Sequence, residues 1–326
     1  MNGARVAFVT GLPKSIIDLI LPSSPDGWVT EVVSGDLSEE EQIKKIVDAD
    51  FLMVYRAHLY DHALTRAKKV KLVQLLSAGY DTVNLQLMSE LEIPCASNGG
   101  ANSWAVADHT ILLMLSVFKR LVESESSLRK GLWAQAITGT NTFEMAGKVV
   151  GILGMGNIGQ KVAKRVQGFE SEVQYYDSFP LTSEIESSLN VTRVSLDQLF
   201  TTSDIVTCHV PLTKDTYHIV NKKRLDMMKT SGIVINTSRG QVIDEKALLL
   251  ALTNETIAGA GLDVFDKEPI SINNPLLDIP GIVLTPHIAG TTWDTWFRRA
   301  RFAYDNMMDV WMGKTPNSVA KSYEII

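Results

Sequence analysis

Short apolar runs recur along this chain, separated by segments whose apolar residues fall at helical spacing. The first series is "RVAFVT", "VTEVVS", "FLMVYR", "KLVQLLS" and "IPCASN". A long helical pattern follows from Asn102 to Lys130. A second series then begins: "KVVGILG", "EVQYYD", "DIVTCHV", "GIVINTS", "AGAGLDV" and "GIVLTP". These runs lack strict polar–apolar alternation, as strands covered on both faces do. Strand-length runs alternating with helical segments predict βαβ units and parallel sheets. Two such series predict an α/β chain of two doubly wound domains joined by long helices, the last being "TTWDTWFRRARFAYDNMMDVW". A ligand is expected in the cleft between them.

Composition narrows the classes of function. The 326 residues suffice for two domains of ordinary size. A formal net charge of −6 argues against nucleic acid or an anionic membrane as the partner. The stretch "WAVADHTILLMLSVFKR" is interrupted by Asp108 and His109 and is too short to span a bilayer. Cys95 and Cys208 are far apart and form no C-x-x-C. No disulfide framework and no metal site is expected, and the expected location is the cytoplasm.

The most specific local signal is "GMGNIG", Gly154 to Gly159, between the apolar "KVVGIL" and the helical "NIGQKVAKRVQGF". In that setting Gly154 permits the tight turn, Gly156 lets a pyrophosphate approach the backbone, and Gly159 allows close helix–strand packing. Unpaired N–H groups of the helix N-terminus face the phosphates. The next run ends at Asp177, 18 residues beyond Gly159, where a ribose-binding acid belongs. No basic residue in the following "SFP" could hold a 2′-phosphate. The expected cofactor is NAD rather than NADP.

Three polar groups end successive runs of the second series. Arg239 follows "GIVINTS", Glu268 lies in "LDVFDKEP", and His287 lies in "VLTPHIAG". Open α/β sheets bind ligands outside the carboxyl ends of their strands, so a cation, an acid and an imidazole would share one rim. Arginine is almost never buried without a partner, and its place at the tip of a core strand implies an arriving anion. The set suits hydride chemistry on a 2-oxo acid. The arginine fork binds the carboxylate. The histidine exchanges a proton with the hydroxyl or carbonyl oxygen. The glutamate favours imidazolium and orients the ring. In the first series "FLMVYR" repeats the motif of an apolar strand ending in a cation. Arg56 is therefore expected either to read a second anionic group of the substrate or to be a solvated loop residue.

These stretches, with "LLSAGYDTVNL" and "GANSWAVADHTILLML", resemble the NAD-dependent D-isomer-specific 2-hydroxyacid dehydrogenases, in order, from about Leu75 to Gly290. The resemblance implies a Rossmann-type coenzyme domain and a smaller flavodoxin-like substrate domain. Residues 1–102 and 295–326 would form the substrate domain and residues 103–294 the NAD-binding domain. It implies that Arg239, Glu268 and His287 are the catalytic set, and that Ser77, Ala78 and Gly79 form a substrate-side loop beside Arg56 and Arg239. NAD contacts are implied at Gly154, Met155, Gly156, Asn157, Ile158, Gly159, Asp177, His209, Val210, Pro211, Thr216, Thr237, Ser238, Arg239, Asp263, His287 and Gly290. A homodimer built around the helix after Asn102 is implied as well. Asp108, Asn84, Trp293 and Trp296 depart from the usual pattern and bear on the substrate rather than the chemistry. The resulting expectation is hydride transfer between NAD(H) and a small anionic D-2-hydroxy or 2-oxo acid. The alternatives are phosphite or formate oxidation on the same fold, and a non-catalytic dinucleotide-sensing corepressor.

Overall fold

The computed structural model describes residues 3–81, 83–133, 135 and 139–320. The ends of the expected substrate domain, residues 1–2 and 321–326, and Thr82 of "LLSAGYDTVNL" lie outside them. The chain divides into two compact units. One takes the residues up to Asn102 together with those from Thr291 onward, and the other is Ser103–Gly290.

Among the described residues the first unit carries a five-stranded parallel sheet. Its strands are β1 (Arg5–Thr10), β2 (Val29–Ser34), β3 (Phe51–Tyr55), β4 (Leu72–Leu75) and β5 (Cys95–Ala96), in the order β2-β1-β3-β4-β5. That is the flavodoxin-like order, whose direction reverses between β1 and β3. All of β3 and β4 is buried, because helices cover both faces. On one face the helix Trp293–Trp311 presents Trp296, Ala300, Ala303, Tyr304 and Met307, a stripe at helical spacing packed with Phe8, Phe51 and Leu72. On the other, Ile46, Leu64 and Met88 pack over Val9, Val54 and Val73.

The second unit carries seven parallel strands among the described residues. They are β6 (Val149–Leu153), β7 (Glu172–Tyr176), β8 (Thr192–Arg193), β9 (Ile205–Cys208), β10 (Ile233–Asn236), β11 (Gly259–Leu262) and β12 (Val283–Leu284). Their order is β12-β11-β10-β9-β6-β7-β8, the Rossmann order with one strand added beyond β11. The order reverses between β6 and β9, which pair in register Leu153 to Cys208. The helices Ser103–Phe118 and Asn157–Gln167 cover one face with Ala107, Ile111, Met114, Val162 and Val166. Leu199, Leu225 and Leu248 cover the other.

The helical pattern read from Asn102 to Lys130 forms two helices, Ser103–Phe118 and Leu121–Arg129. The break falls at Arg120, whose φ of 47° is left-handed and ends the helical path. Cys95 and Cys208 are both buried and free, and burial pushes each thiol up to about 12, so neither ionises near neutrality. Among the described residues no helix is long and apolar enough to cross a membrane.

Candidate active site

The turn after β6 tests whether a dinucleotide phosphate fits. Gly154 has φ +97°, and a Cβ there would stand 2.8 Å from the His209 carbonyl. A Cβ on Gly159 would stand 2.2 Å from the Gly154 oxygen. Neither position admits a side chain. Gly156 differs, because nothing lies within 4 Å of the Cβ position there. It is also the N-cap of the helix Asn157–Gln167 and makes no side-chain capping bond. The result is an open, side-chain-free cradle at a helix N-terminus, at the point where the strand order reverses. The residues present fit the pyrophosphate of a dinucleotide.

Asp177, half-buried one residue past β7, holds this cradle. Its Oδ2 accepts from the Met155 amide at 2.7 Å and its Oδ1 from the Phe179 amide at 2.8 Å. Each oxygen retains acceptor capacity for a ribose hydroxyl. Met155 offers only backbone, since its side chain lies in the core. Asn157, Gly156 and Pro211 are exposed, and Ile158, Val210, Thr216 and Gly290 half-buried. The Thr216 hydroxyl bonds the Pro211 carbonyl at 2.6 Å and the Thr213 amide at 2.8 Å, closing its own loop. Desolvation pushes His209 down to about 3, so the ring is neutral.

Arg239 sits on a loop built by a buried side chain. Asn236 ends β10, and its Oδ1 accepts from the Ser238 amide at 3.0 Å and the Ser238 hydroxyl at 2.8 Å. Its Nδ2 donates to the Arg239 carbonyl at 2.9 Å. The guanidinium is half-buried and Nη1 donates to the Ser238 carbonyl at 2.8 Å. Gly240 then presses on the next loop, where a Cβ would lie 1.9 Å from the backbone of Phe265. Only glycine lets the loop after β10 lie against the one that carries Glu268.

Glu268 and His287 meet directly. Glu268 Oε2 lies 2.6 Å from His287 Nδ1, and Oε1 accepts from the Phe265 amide at 3.1 Å. Burial alone would raise the Glu268 carboxyl. The hydrogen bond and charge of His287, the Phe265 amide and the charge of Arg239 outweigh it and hold the group below the ordinary glutamate range. The three residues read from separate strand ends thus act on one another. His287 has φ +52°, a left-handed conformation unusual for a side-chain-bearing residue.

Asp263 braces that turn. It is fully buried, and its carboxylate accepts from the Thr285 hydroxyl at 2.6 Å, the Ile288 amide at 2.9 Å and the Ala289 amide at 2.8 Å. These bonds fix the backbone on both sides of His287. Sequence reading passed over Asn236, Gly240 and Thr285. An asparagine at the end of an apolar run was the available signal for the first, since a buried amide must find partners.

Among the groups expected on the substrate side, Ser77, Ala78 and Gly79 follow β4 in the first unit. The Ser77 hydroxyl bonds the Gly79 carbonyl at 2.7 Å and tightens the turn. Arg56 follows β3 directly, with φ +47° and an exposed side chain over the Tyr55 ring, 5.7 Å from its centroid. It stands where the order of the first sheet reverses.

Residues 111–289 match the model of the D-isomer specific 2-hydroxyacid dehydrogenase NAD-binding domain. The chain belongs to the D-isomer specific 2-hydroxyacid dehydrogenase family. The glyoxylate reductase of Thermofilum pendens is 37% identical over 310 residues, 93% of this chain and 88% of that one. The D-3-phosphoglycerate dehydrogenase of Archaeoglobus fulgidus is 34% identical over 269 residues, 82% of this chain but 50% of that longer protein. The crystal structure of the TT0316 protein from Thermus thermophilus superposes with a TM-score of 0.84 at 33% identity, covering 97% of this chain and 100% of that one. The chain is therefore an NAD-dependent oxidoreductase acting on CH–OH donors, and its second unit contains the NAD-binding domain.

Proposed function

We propose that this dehydrogenase reduces a small 2-oxo acid to the D-2-hydroxy acid, with Arg239, Glu268 and His287 as its catalytic residues. The observation that carries the reading is the 2.6 Å Glu268–His287 contact, with the loop of Arg239 packed through Gly240 against the loop that carries Glu268. Arg239 binds the carboxylate with its planar fork and polarises the carbonyl. His287, its Nδ1 held by Glu268, gives the proton from Nε2 to the developing alkoxide, and takes it back in oxidation. Glu268 stabilises the imidazolium and fixes the ring. NAD, when bound, supplies or accepts the hydride. The cradle of Gly154, Gly156 and Gly159, with Asn157 and Ile158, holds its phosphates, and Asp177 its ribose. His209 to Pro211, Thr216, Thr237, Ser238 and Gly290 border it, and Asp263 supports the turn beneath His287. Ser77, Ala78, Gly79 and Arg56 contribute to substrate binding from a substrate domain read as residues 1–102 and 295–326, four residues short of the compact unit that begins again at Thr291. Residues 103–294 bind the cofactor.

Asp177 repels a 2′-phosphate, so catalytic efficiency is expected to be much higher with NADH than with NADPH; equal values would remove that role. Trp104, Leu112, Leu121, Val122 and Leu128 are each about half exposed along the helices Ser103–Phe118 and Leu121–Arg129. That apolar surface supports a homodimer, which the mass of the protein in solution tests. The central experiment follows NADH absorbance with a panel of 2-oxo acids, glyoxylate, hydroxypyruvate and pyruvate among them. Turnover is expected. NADH binding without turnover of any 2-oxo or 2-hydroxy acid would leave a dinucleotide sensor.

A further inference from the structure

Two neighbouring residues of the helix Ser103–Phe118 reach the two loops that carry Arg239 and His287. Thr110 donates its hydroxyl proton to the Val106 carbonyl at 2.8 Å. That proton is its only one, so at 3.1 Å Thr110 Oγ1 accepts and Thr237 donates. The Thr237 oxygen then accepts from His209 Nδ1, 3.4 Å away. His209 Nε2 is the acceptor nitrogen of a neutral ring and takes the Thr207 hydroxyl at 3.0 Å. Every proton in this row has one direction.

The next chain starts one residue earlier. Thr285 donates to Asp263 Oδ1, so its oxygen accepts, and the partner at 2.9 Å is His109 Nε2. His109 therefore carries its proton on Nε2, 3.6 Å from the Asp263 oxygen. Burial keeps it neutral against the opposing pull of Asp263. Thr237 stands two residues before Arg239, and Thr285 two residues before His287. Successive helix residues diverge by about 100°, which lets adjacent side chains reach the separate ends of β10 and β12.

We propose that His109 and Thr110 form a positioning pair, one helix holding the arginine loop and the histidine loop in mutual register. This rests on the reading of Arg239 and His287 as the catalytic groups. Neither member touches substrate. Thr110 acts through Thr237 on the carboxylate-binding loop, and His109 acts through Thr285 on the proton-transferring loop.

The two arms have different kinetic signatures. His109→Leu should lower kcat about three- to tenfold, the range for one neutral hydrogen bond, and displace the midpoint of the pH profile while KM for the oxo acid barely moves. Thr110→Val should raise that KM by a similar factor and leave the pH midpoint in place. Thr110→Ser and His109→Gln, which keep a hydroxyl and an N–H donor, should restore most of each loss. Adding Thr285→Val to His109→Leu should bring no loss beyond that of Thr285→Val alone, and likewise Thr237→Val with Thr110→Val. His109→Leu with Thr110→Val should multiply. Equal losses in both variants with an unmoved pH profile, or multiplication within either chain, would overturn the proposal. Should the apolar variants not fold, ¹⁵N spectra of the wild-type rings decide: His209 protonated on Nδ1 and His109 on Nε2 are required, and either opposite tautomer refutes it. Full turnover by His287→Gln would instead remove the catalytic reading, with the tautomers unchanged.

Discussion

Each sheet sends a buried strand toward an arginine, and the two arginines differ in burial and surroundings. Beyond β10, Arg239 is half-buried on a loop that Asn236 fastens by three hydrogen bonds and Gly240 locks against Phe265. Beyond β3, Arg56 is exposed and lies over the face of Tyr55. Arg299, 3% exposed, also lies over that ring, 5.2 Å from its centroid, and donates to the Tyr55 hydroxyl at 3.1 Å. The buried element of the second cluster is thus the tyrosine, not Arg56. A group that must meet a reacting centre gains from being placed before substrate arrives, because the ordering cost is met in folding. A group that only adds affinity can be ordered by the ligand, at some loss of side-chain entropy. The half-buried cluster should control rate, and the exposed one substrate choice.

The sharpest way to break this contrast is at the proton donor of the half-buried cluster. His287→Gln is expected to lower turnover by about 10² to 10⁴, with NADH affinity, measured by fluorescence titration, nearly unchanged. Near-normal reduction would end the acid–base role. Arg239→Lys comes next. An ammonium cannot reproduce the fork, and losing one charge-assisted bond costs roughly ten- to hundredfold in kcat/KM. A loss under about threefold would mean that orientation at this strand tip is unimportant, and the comparison would fail.

Glu268→Gln sharpens the contrast without removing a contact atom. In the wild type the depressed carboxyl is charged across the neutral range and stands 2.6 Å from His287 Nδ1. On the proposed mechanism reduction needs imidazolium, so its rate should fall as pH rises, while oxidation needs the neutral ring and should rise. Removing the negative charge should move both midpoints to lower pH. The same depressed carboxyl contributes stability above the ordinary glutamate range, lost as pH falls through its folded-state value. That acid-side loss should be smaller in the variant, read as Tm against pH. Unmoved kinetic midpoints would show the pair to be structural.

The sequence made these strand ends legible because buried parallel strands are apolar throughout and a polar residue after one is conspicuous. Arg239, Glu268 and His287 were visible for that reason. The edge strand β8 was not. Thr192 and Arg193 are both exposed and carry no apolar signature. Nor were the left-handed conformations of Arg56 and His287 visible, since neither is the glycine that normally announces positive φ. Asp263 read as one more residue of the ligand rim, but its full burial comes from three donors that long-range folding brings to it. His109, with Asp108, read as a polar interruption of an apolar helix, and Thr110 gave no signal. Their partners lie 176 and 127 residues away, beyond the reach of any local pattern.

The smallest expected effect, and the most selective, is at Arg56. If the exposed cluster reads a second anion, Arg56→Ala should leave kcat for pyruvate intact and raise its KM little. For a dianionic 2-oxo acid, such as oxaloacetate or a phosphorylated hydroxypyruvate, KM should rise about tenfold or more, the value of one charge-assisted hydrogen bond to a partly exposed group. Salt supplies an independent check. A solvent-exposed cation is screened, so the wild-type preference for the dianion should shrink as ionic strength rises, and the variant should show little left to screen. Tyr55→Phe separates the two arginines. It keeps the ring under Arg56 but removes the hydroxyl that Arg299 binds, so dianion preference should survive if Arg56 alone makes the contact. Loss of preference in Tyr55→Phe with none in Arg56→Ala would move the reading site from the exposed arginine to the buried one. Equal small effects on mono- and dianions in both variants would leave the strand tip of the first sheet without a part in substrate choice.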